Sequence, residues 1–315
     1  TGGKATRPVL ASRRRCAGIL GAGALLAALA ATGCARGGPP VAAATAPPLW
    51  RMQAREGAPG SGWLFGSVHA GLDPAEKLPP VVERAWASAD VLAIEIDVTA
   101  RWASLRELYA ASALLPSDGT IEALLGADRA GQIREHFGIG EARWSRLRRL
   151  APWALLALLA GQDPSRGGRA PGAGLEARFL ESARQRAMPV VELEQPAEQV
   201  DALAGIGLRA QADWLWRRFE SIRHGDGLAE AIVAAWRAGD EADLARLKDR
   251  AWGMAGDDPA TPRARMFGER DRRIARRLAG LLERPHTVFT LVGAFHVVGE
   301  DGLPGILAGH GIRLE

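Results

Sequence analysis

The 315-residue chain contains very little cysteine: only Cys16 and Cys34, both near the N-terminus. Residues 35–315 therefore have none, which excludes structural disulfides, thiolate–zinc sites and a cysteine nucleophile from that part of the chain. Any catalysis there must use histidine, carboxylates, hydroxyls, arginine, or a metal held by nitrogen and oxygen ligands.

Acidic residues are absent from the first 33 positions, which carry five basic residues. Setting that stretch aside leaves 35 basic and 36 acidic residues, although the whole chain has a formal charge of +4. A nearly neutral body has no general electrostatic attraction for a polyanion. We therefore expect no nucleic-acid partner.

Long apolar runs are also missing. The longest stretch near the N-terminus, Ala17–Ala31, is shorter than the ~20 residues that a transmembrane helix needs. It follows the basic cluster Arg13–Arg15 and precedes small residues, and this order is typical of an export signal.

The signal ends in Ala31-Thr32-Gly33-Cys34, which resembles a bacterial lipobox with Cys34 as the lipidated first residue of the mature protein. An ordinary cleaved signal and an uncleaved anchor are the alternatives. We expect an exported protein of the cell envelope, held at the membrane by an N-terminal lipid and facing the periplasm. Its parts are a signal peptide at 1–34, a low-complexity linker at 35–48 and a domain at 49–315.

The domain has strand patterns near both ends and helical patterns between them. Strands are predicted at Leu49–Gln53, Trp63–Val68, Asp90–Ile96, Pro189–Leu193, Thr287–Val292 and Ile312–Leu314, the first two as a hairpin. Helices are predicted at 80–88, over 100–186 with breaks at 115–119 and 162–172, over 196–283 ending in a helix at 264–283, and at 303–308. This predicts an α/β fold with a central mixed sheet and large helical insertions.

One four-residue motif occurs twice. Gly66-Ser67-Val68-His69 and Gly293-Ala294-Phe295-His296 each end a predicted strand and precede a Leu-Pro pair, a helix and another strand. In open α/β sheets, ligands gather at the carboxyl ends of strands. If the two units pack side by side, His69 and His296 converge; otherwise each is a core histidine bonded to the backbone.

Carboxylates follow other predicted strands. Glu95 and Asp97 lie two residues apart at the end of one strand, so they share a face. Glu192 and Glu194 have the same spacing at the end of another strand. Two imidazoles with one or more carboxylates and no thiolate suit zinc, manganese or cobalt. Such a site can hold a water molecule for attack, with a carboxylate as the base.

These motifs together resemble the TraB/PrgY/GumN family. The resemblance rests on the paired GxxH motifs, the strand Leu92–Ile96 and the closing segment Gly293–Leu303. It spans about Trp50–Glu315. Further matches are Leu115-Pro116, Gly119-Thr120, Pro152-Trp153, Gly174-Leu175-Glu176, Leu193-Glu194, Trp236, Gly239-Asp240 and Glu269-Arg270-Asp271.

The resemblance implies the family's fold and a metal-dependent peptidase activity. The family is related to the Tiki metalloproteases and, more distantly, to ChaN-like haem-binding lipoproteins and erythromycin esterase-like proteins. The positions that match its motifs are His69, Glu95 and His296. Glu269 and Arg270 match a Glu-Arg-Asn motif, in which this sequence has Asp at position 271.

We therefore predict His69, His296 and Glu95 as metal ligands, and Glu95, Glu269 and Arg270 as catalytic residues. Glu95 acts as ligand or general base, unless it is a buried carboxylate paired with arginine. Arg270 steadies a substrate carboxylate or a developing oxyanion, unless it only forms an ion pair with Glu269 or Glu95.

The predicted function is a metal-dependent hydrolase, acting on peptides, in a cell-envelope lipoprotein. The alternative is a lipoprotein that binds or sequesters a peptide, haem or a metal ion in the same cleft without turnover. A peptide or small-molecule ligand and the membrane are the expected partners.

Overall fold

The computed structural model describes residues 46–68, 72, 76–160, 174–253 and 258–315. The predicted signal at 1–34 with Cys34, residues 35–45 of the linker, His69 and the predicted break at 162–172 lie outside the described residues.

The six strands in the described part of the chain form one mixed sheet, in the order β4-β3-β5-β2-β1-β6. Strand β1 runs antiparallel to both of its neighbours, β2 and β6, so β6 points in the same direction as β2. Strands β2, β5, β3 and β4 are mutually parallel. The bounds are β1 (Leu49–Gln53), β2 (Ser61–Ser67), β3 (Val91–Ile94), β4 (Val190–Glu192), β5 (Thr287–Gly293) and β6 (Arg313–Leu314).

This sheet confirms the predicted α/β architecture, with strands at both ends of the domain and long helical insertions between them. The helices of the described residues are α1 (Pro80–Ala87), α2 (Trp102–Ser112), α3 (Ile121–Leu125), α4 (Ala127–His136), α5 (Glu141–Leu147), α6 (Pro152–Ala160), α7 (Leu175–Gln185), α8 (Pro196–Ala204), α9 (Leu208–His224), α10 (Leu228–Ala238), α11 (Glu241–Trp252), α12 (Pro262–Met266), α13 (Gly268–Leu282) and α14 (Leu303–Gly309).

None of the helices within the described ranges combines the length and the apolarity that crossing a membrane requires.

The prediction of one helix at 264–283 was wrong, because two helices, α12 and α13, meet at Phe267. Its backbone angles, φ −122° and ψ −80°, are not helical. The break lets the Phe267 ring pack against Trp252 and His296, with ring centroids 5.8 and 5.1 Å away. Packing at the end of the sheet therefore overrides local helix propensity here.

Aromatic side chains from strands and helices form the centre of the core. Phe65 on β2 and Phe289 on β5 lie 5.8 Å apart between ring centroids, and Phe179 on α7 stacks on Phe289 at 5.1 Å. Trp86 on α1 meets Phe179 edge-on at 5.0 Å. Such pairs add about 0.5–1.5 kcal/mol each beyond their burial, so they fix the helices firmly against the sheet.

Candidate functional site

The two GxxH motifs leave neighbouring strands at the same edge of the sheet. Strands β2 and β5 are parallel, and their register sets Ser67 opposite Gly293. The carboxyl ends of both strands therefore open into the same region. His296 is described there, whereas His69 lies outside the described residues.

The glycine of the first motif is needed for a close approach. A Cβ atom on Gly66 would lie 2.6 Å from Val297 Cγ2 and 3.2 Å from the Cα of Ala294. Only a residue without a side chain lets the 3₁₀ turn Ala294–His296 pack directly against β2. Trp236 on α10 donates a 2.6 Å hydrogen bond to the Gly66 carbonyl and holds the same strand end from another side.

Arg270 on α13 is the centre of a buried polar cluster at this edge. Its Nε and Nη2 donate to the two carboxylate oxygens of Glu194, each at 2.6 Å, and Nη2 also donates to Glu95 Oε2 at 2.6 Å. Its Nη1 lies 3.0 Å from Nε2 of His296. The guanidinium thus joins three side chains that come from three different strand ends.

Glu95 and Glu194 are held side by side because the backbone pairing of β3 with β4 continues beyond the ends of these strands. Glu95 follows β3 and Glu194 follows β4, and the Glu194 amide donates to the Glu95 carbonyl at 2.8 Å. Glu95 Oε1 accepts a 2.7 Å hydrogen bond from the backbone amide of Gly293, the last residue of β5. The fixed sheet geometry therefore sets the position of the Glu95 carboxylate on both sides.

His296 is held by its other ring nitrogen. Nδ1 contacts Oδ1 of Asp271, which is fully buried. A proton on Nδ1 that is donated to this carboxylate leaves the lone pair on Nε2, directed at Arg270. Nε2 also lies 3.8 Å from Glu95 Oε1.

The electrostatics of the cluster are dominated by burial and by its carboxylates. Burial by itself lowers the pKa of Arg270, but Glu194 and Glu95 raise it above its ordinary value, so the guanidinium stays charged. Burial raises the pKa of Asp271, although the nearby His296 opposes this rise. The carboxylates of Glu194 and Glu95 thus share one guanidinium, and this excess of carboxylate over arginine favours an added cation.

The predicted metal set is only partly within the described residues. Glu95 and His296 offer a carboxylate oxygen and an imidazole nitrogen, a donor chemistry that fits manganese, cobalt or zinc. Within the described ranges, no group of three or more histidine, cysteine, aspartate or glutamate side chains is arranged to hold a metal ion. The third predicted ligand, His69, lies outside those ranges, so the metal stays a prediction.

A small cavity of about 40 Å³ opens against this cluster. Glu95, Arg270 and His296 line it, together with the buried Ser67, whose hydroxyl donates to Glu176. The remaining lining side chains are apolar. The cavity therefore brings a carboxylate, an imidazole and a guanidinium together, an arrangement suited to acid–base chemistry on a polar bond.

The structure brings Glu95, Arg270 and His296 together, but not Glu269. The Glu269 side chain is 56% exposed and pairs with Arg272 and Arg276 on the outer face of α13.

Of the two further members of the cluster, Glu194 is left open by the sequence between support of the site and capping before Pro196, and Asp271 has no role assigned from the sequence. The signals were present: Asp271 directly follows Arg270, and Glu194 alternates with Glu192 after β4. Glu192, two residues earlier, does not join the cluster and pairs with Arg101 at 2.6 Å.

Comparisons with known proteins gave one match. Neither curated proteins nor solved structures gave a match. The sequence model of the TraB/PrgY/gumN family, however, matches residues 48–315, which cover the whole sheet, all the helices described above and the Arg270 cluster. The chain therefore belongs to the TraB/PrgY/gumN family.

Proposed function

We propose that the protein is a hydrolase that cleaves peptides, with a divalent metal held by His69, Glu95 and His296. The observation that carries the proposal is the convergence of Glu95, Arg270 and His296 on one cavity at the carboxyl ends of neighbouring strands. Polar side chains of opposite charge are costly to bury unless they are paired, and sites of this kind are concentrated where chemistry occurs.

Hydrolysis of an amide adds one water molecule across the carbonyl–nitrogen bond. The water oxygen bonds to the carbonyl carbon, the carbon–nitrogen bond breaks, and the water's proton passes to the leaving amine. In this chain a Glu95 oxygen accepts and returns that proton, because the Glu95 carboxylate lines the cavity. Arg270 supplies the fixed positive charge that stabilises the developing oxyanion.

A metal ion bound at the site would supply Lewis acidity, polarising the carbonyl and acidifying a water molecule. The excess of carboxyl groups around Arg270 supports a cation at this position, and so does the 3.8 Å separation between Glu95 Oε1 and His296 Nε2. His296 would hold the metal through Nε2, the nitrogen that now contacts Arg270 Nη1, so a bound metal would take the place of that contact.

The first experiment measures the metal content of the full chain and of the double variant His69→Ala/His296→Ala. We expect close to one equivalent of manganese, cobalt or zinc in the wild-type protein and its loss in the variant. If neither protein contains metal, even after incubation with added metal, the result contradicts the proposed metal site. It then favours a lipoprotein that binds a ligand without cleaving it.

The second experiment separates turnover from binding. A mixed peptide library is incubated with the full chain, with Glu95→Gln and with Glu283→Gln, a control at an exposed carboxylate that pairs with Arg55. We expect cleavage to be lost in Glu95→Gln while peptide binding remains, and to be unchanged in the control. Equal loss of binding and cleavage counts against a catalytic role for Glu95, and Glu269→Gln tests the predicted role of Glu269 in the same assay.

The lipid anchor is part of the same proposal, supported by the lipobox-like Ala31–Cys34 segment. Cells that express the full chain should incorporate labelled fatty acid into it, and Cys34→Ser should abolish the labelling. Unchanged labelling in Cys34→Ser contradicts the anchor at this residue.

A further inference from the structure

A second cavity lies where the end of α9, the loop after it and the last turn of α11 meet. Its volume is about 330 Å³, which lies within the ~300–1,000 Å³ range of small-molecule sites. The described residues that line it are all polar, and three of them are arginines: Arg217, Arg218 and Arg250. No described residue lines both this cavity and the one beside Arg270, so the two are separate spaces.

The two carboxylates that line this second cavity already have partners. Asp226 accepts a hydrogen bond from the Ser221 hydroxyl at 2.6 Å and pairs with Arg250 at 2.7 Å. Glu220 pairs with Arg223 on the same helix at 2.8 Å. Each carboxylate is therefore matched by an arginine before the two other arginines of the cavity are counted.

Those two arginines are consecutive residues near the end of α9. Arg217 is exposed and has no hydrogen bond or ion pair with another described residue. Arg218 is only 6% exposed and donates to the Ser221 hydroxyl at 3.1 Å. Burial lowers the pKa of Arg218, while Asp226 opposes this effect and Arg250 adds to it. A second negative charge in the cavity would stabilise this buried guanidinium.

The cavity has a surplus of positive charge even when Arg218 is left out of the count. Arg250 and Arg223 balance Asp226 and Glu220, so Arg217 remains as a cation without a matching carboxylate among the described residues. An anionic ligand would neutralise this surplus. At acidic pH, protonation of His224, which also lines the cavity, would add to it.

The arrangement of the donors favours phosphate over carboxylate. One guanidinium fork is enough to satisfy both oxygens of a planar carboxylate. A phosphate monoester has three acceptor oxygens that point in different directions and a charge of about −1.5 to −2 at pH 7. Arginines on α9 and α11, together with the Ser221 hydroxyl, offer donors from more than one direction.

We propose that this cavity binds the phosphate group of a phosphate monoester, with Arg217, Arg218 and Arg250 as its cationic residues. The proposal goes beyond the hydrolase function proposed above and does not depend on it, because the two cavities share no described residue. The phosphate can belong to a small soluble ester or to a lipid headgroup, since both present the same chemical group.

The test uses the full chain and two variants. Arg217→Gln removes the surplus charge and leaves the ion pairs of Asp226 and Glu220 in place. Arg209→Gln is the matched control, since Arg209 is an exposed arginine on the same helix that does not line the cavity. Glycerol 3-phosphate is titrated calorimetrically at low ionic strength. Phosphatidylcholine vesicles with and without phosphatidic acid are tested by co-sedimentation.

We expect the wild type and Arg209→Gln to bind equally, and Arg217→Gln to bind at least about tenfold more weakly, since hydrogen bonds to charged groups have effects of this order. Binding of glycerol 3-phosphate identifies a soluble ester as a sufficient ligand. Binding that requires phosphatidic acid in the vesicles, without binding of the free ester, identifies a lipid headgroup. The proposal is overturned if the wild type binds neither probe, or if the two variants bind with equal affinity.

Discussion

Arg270 and Glu194 form a two-point ion pair in the interior of the protein: two guanidinium nitrogens donate to two carboxylate oxygens at 2.6 Å, and both side chains are 1% exposed. Such a parallel pair fixes direction as well as distance. Because the same guanidinium also donates to Glu95 and faces His296, this pair orients the whole candidate site.

Replacing Arg270 with methionine should lower the free energy of unfolding by about 3–5 kcal/mol, because Glu194 and Glu95 are left as buried carboxylates without their cation. Urea denaturation at pH 7 measures this. Arg272→Met is the matched control on the same helix, where the arginine is 60% exposed, and should change stability by less than about 0.5 kcal/mol. Equal effects of the two substitutions would show that the buried network contributes nothing beyond an ordinary surface pair.

Replacing Tyr109, the only tyrosine of the chain, with phenylalanine should stabilise the folded protein. Its ring packs on Trp153 at 5.6 Å between centroids, but its buried hydroxyl has no hydrogen-bond partner among the described residues. Burial raises the pKa of this phenol, so it is neutral throughout the accessible pH range. Removing the unsatisfied hydroxyl should raise the free energy of unfolding by about 1 kcal/mol.

Thermal and urea denaturation of Tyr109→Phe check this prediction. Tyr109→Leu, which also removes the aromatic contact with Trp153, should be less stable than the wild type. A loss of stability in Tyr109→Phe would instead mean that the hydroxyl is satisfied in solution.

Gly66→Ala should destabilise the protein, because the added methyl group would meet Val297 and Ala294 at distances that force the 3₁₀ turn away from β2. Overpacking of this kind costs about 1–3 kcal/mol. Gly131→Ala is the opposite control: Gly131 lies on the exposed side of α4 with open space at its Cβ position. Alanine there should stabilise by about 0.5–1 kcal/mol through helix propensity.

Urea denaturation measures the free energy of unfolding of both glycine variants. It should be lower than that of the wild type for Gly66→Ala and higher for Gly131→Ala. Gly66→Ala should also lower any activity more than its stability loss explains, since the turn that moves carries His296. A Gly66→Ala protein as stable as the wild type would contradict the close approach of the two GxxH segments.

The stability of the protein should fall in acid partly through Asp301. Burial alone would raise the pKa of this carboxyl, but Lys248 and Arg263 lower it below its ordinary value of 3.8. A carboxyl whose pKa is lower in the folded than in the unfolded protein stabilises the fold above its unfolded pKa. This contribution is lost as the pH falls through the folded pKa, below about pH 4.

Urea midpoints of the wild type and Asp301→Asn between pH 7 and pH 2 measure this effect. The variant should be less stable at pH 7, and the difference should shrink below pH 4. A constant difference between the two proteins over the whole range would exclude a contribution from the titration of Asp301.

Much of this fold could be read from short apolar runs. The strands at 49–53, 190–192 and 287–293 lie where the period and the flanking turn residues predict them, because a buried strand needs a run of apolar side chains. The break at Phe267 could not be read in this way. It follows from the packing of one ring against Trp252 and His296, residues remote in sequence.

The sequence by itself determined the α/β class and the family, and it predicted Glu95, Arg270 and His296 as site residues, because local patterns and spaced motifs record such features directly. Only the tertiary structure decided which carboxylates join them. Glu194 and Asp271 enter the cluster and Glu269 stays at the surface, although Glu269 and Asp271 flank Arg270 on the same helix. The reason is geometric: successive residues of a helix point in different directions, and only the packing of α13 against the sheet selects which of them becomes buried.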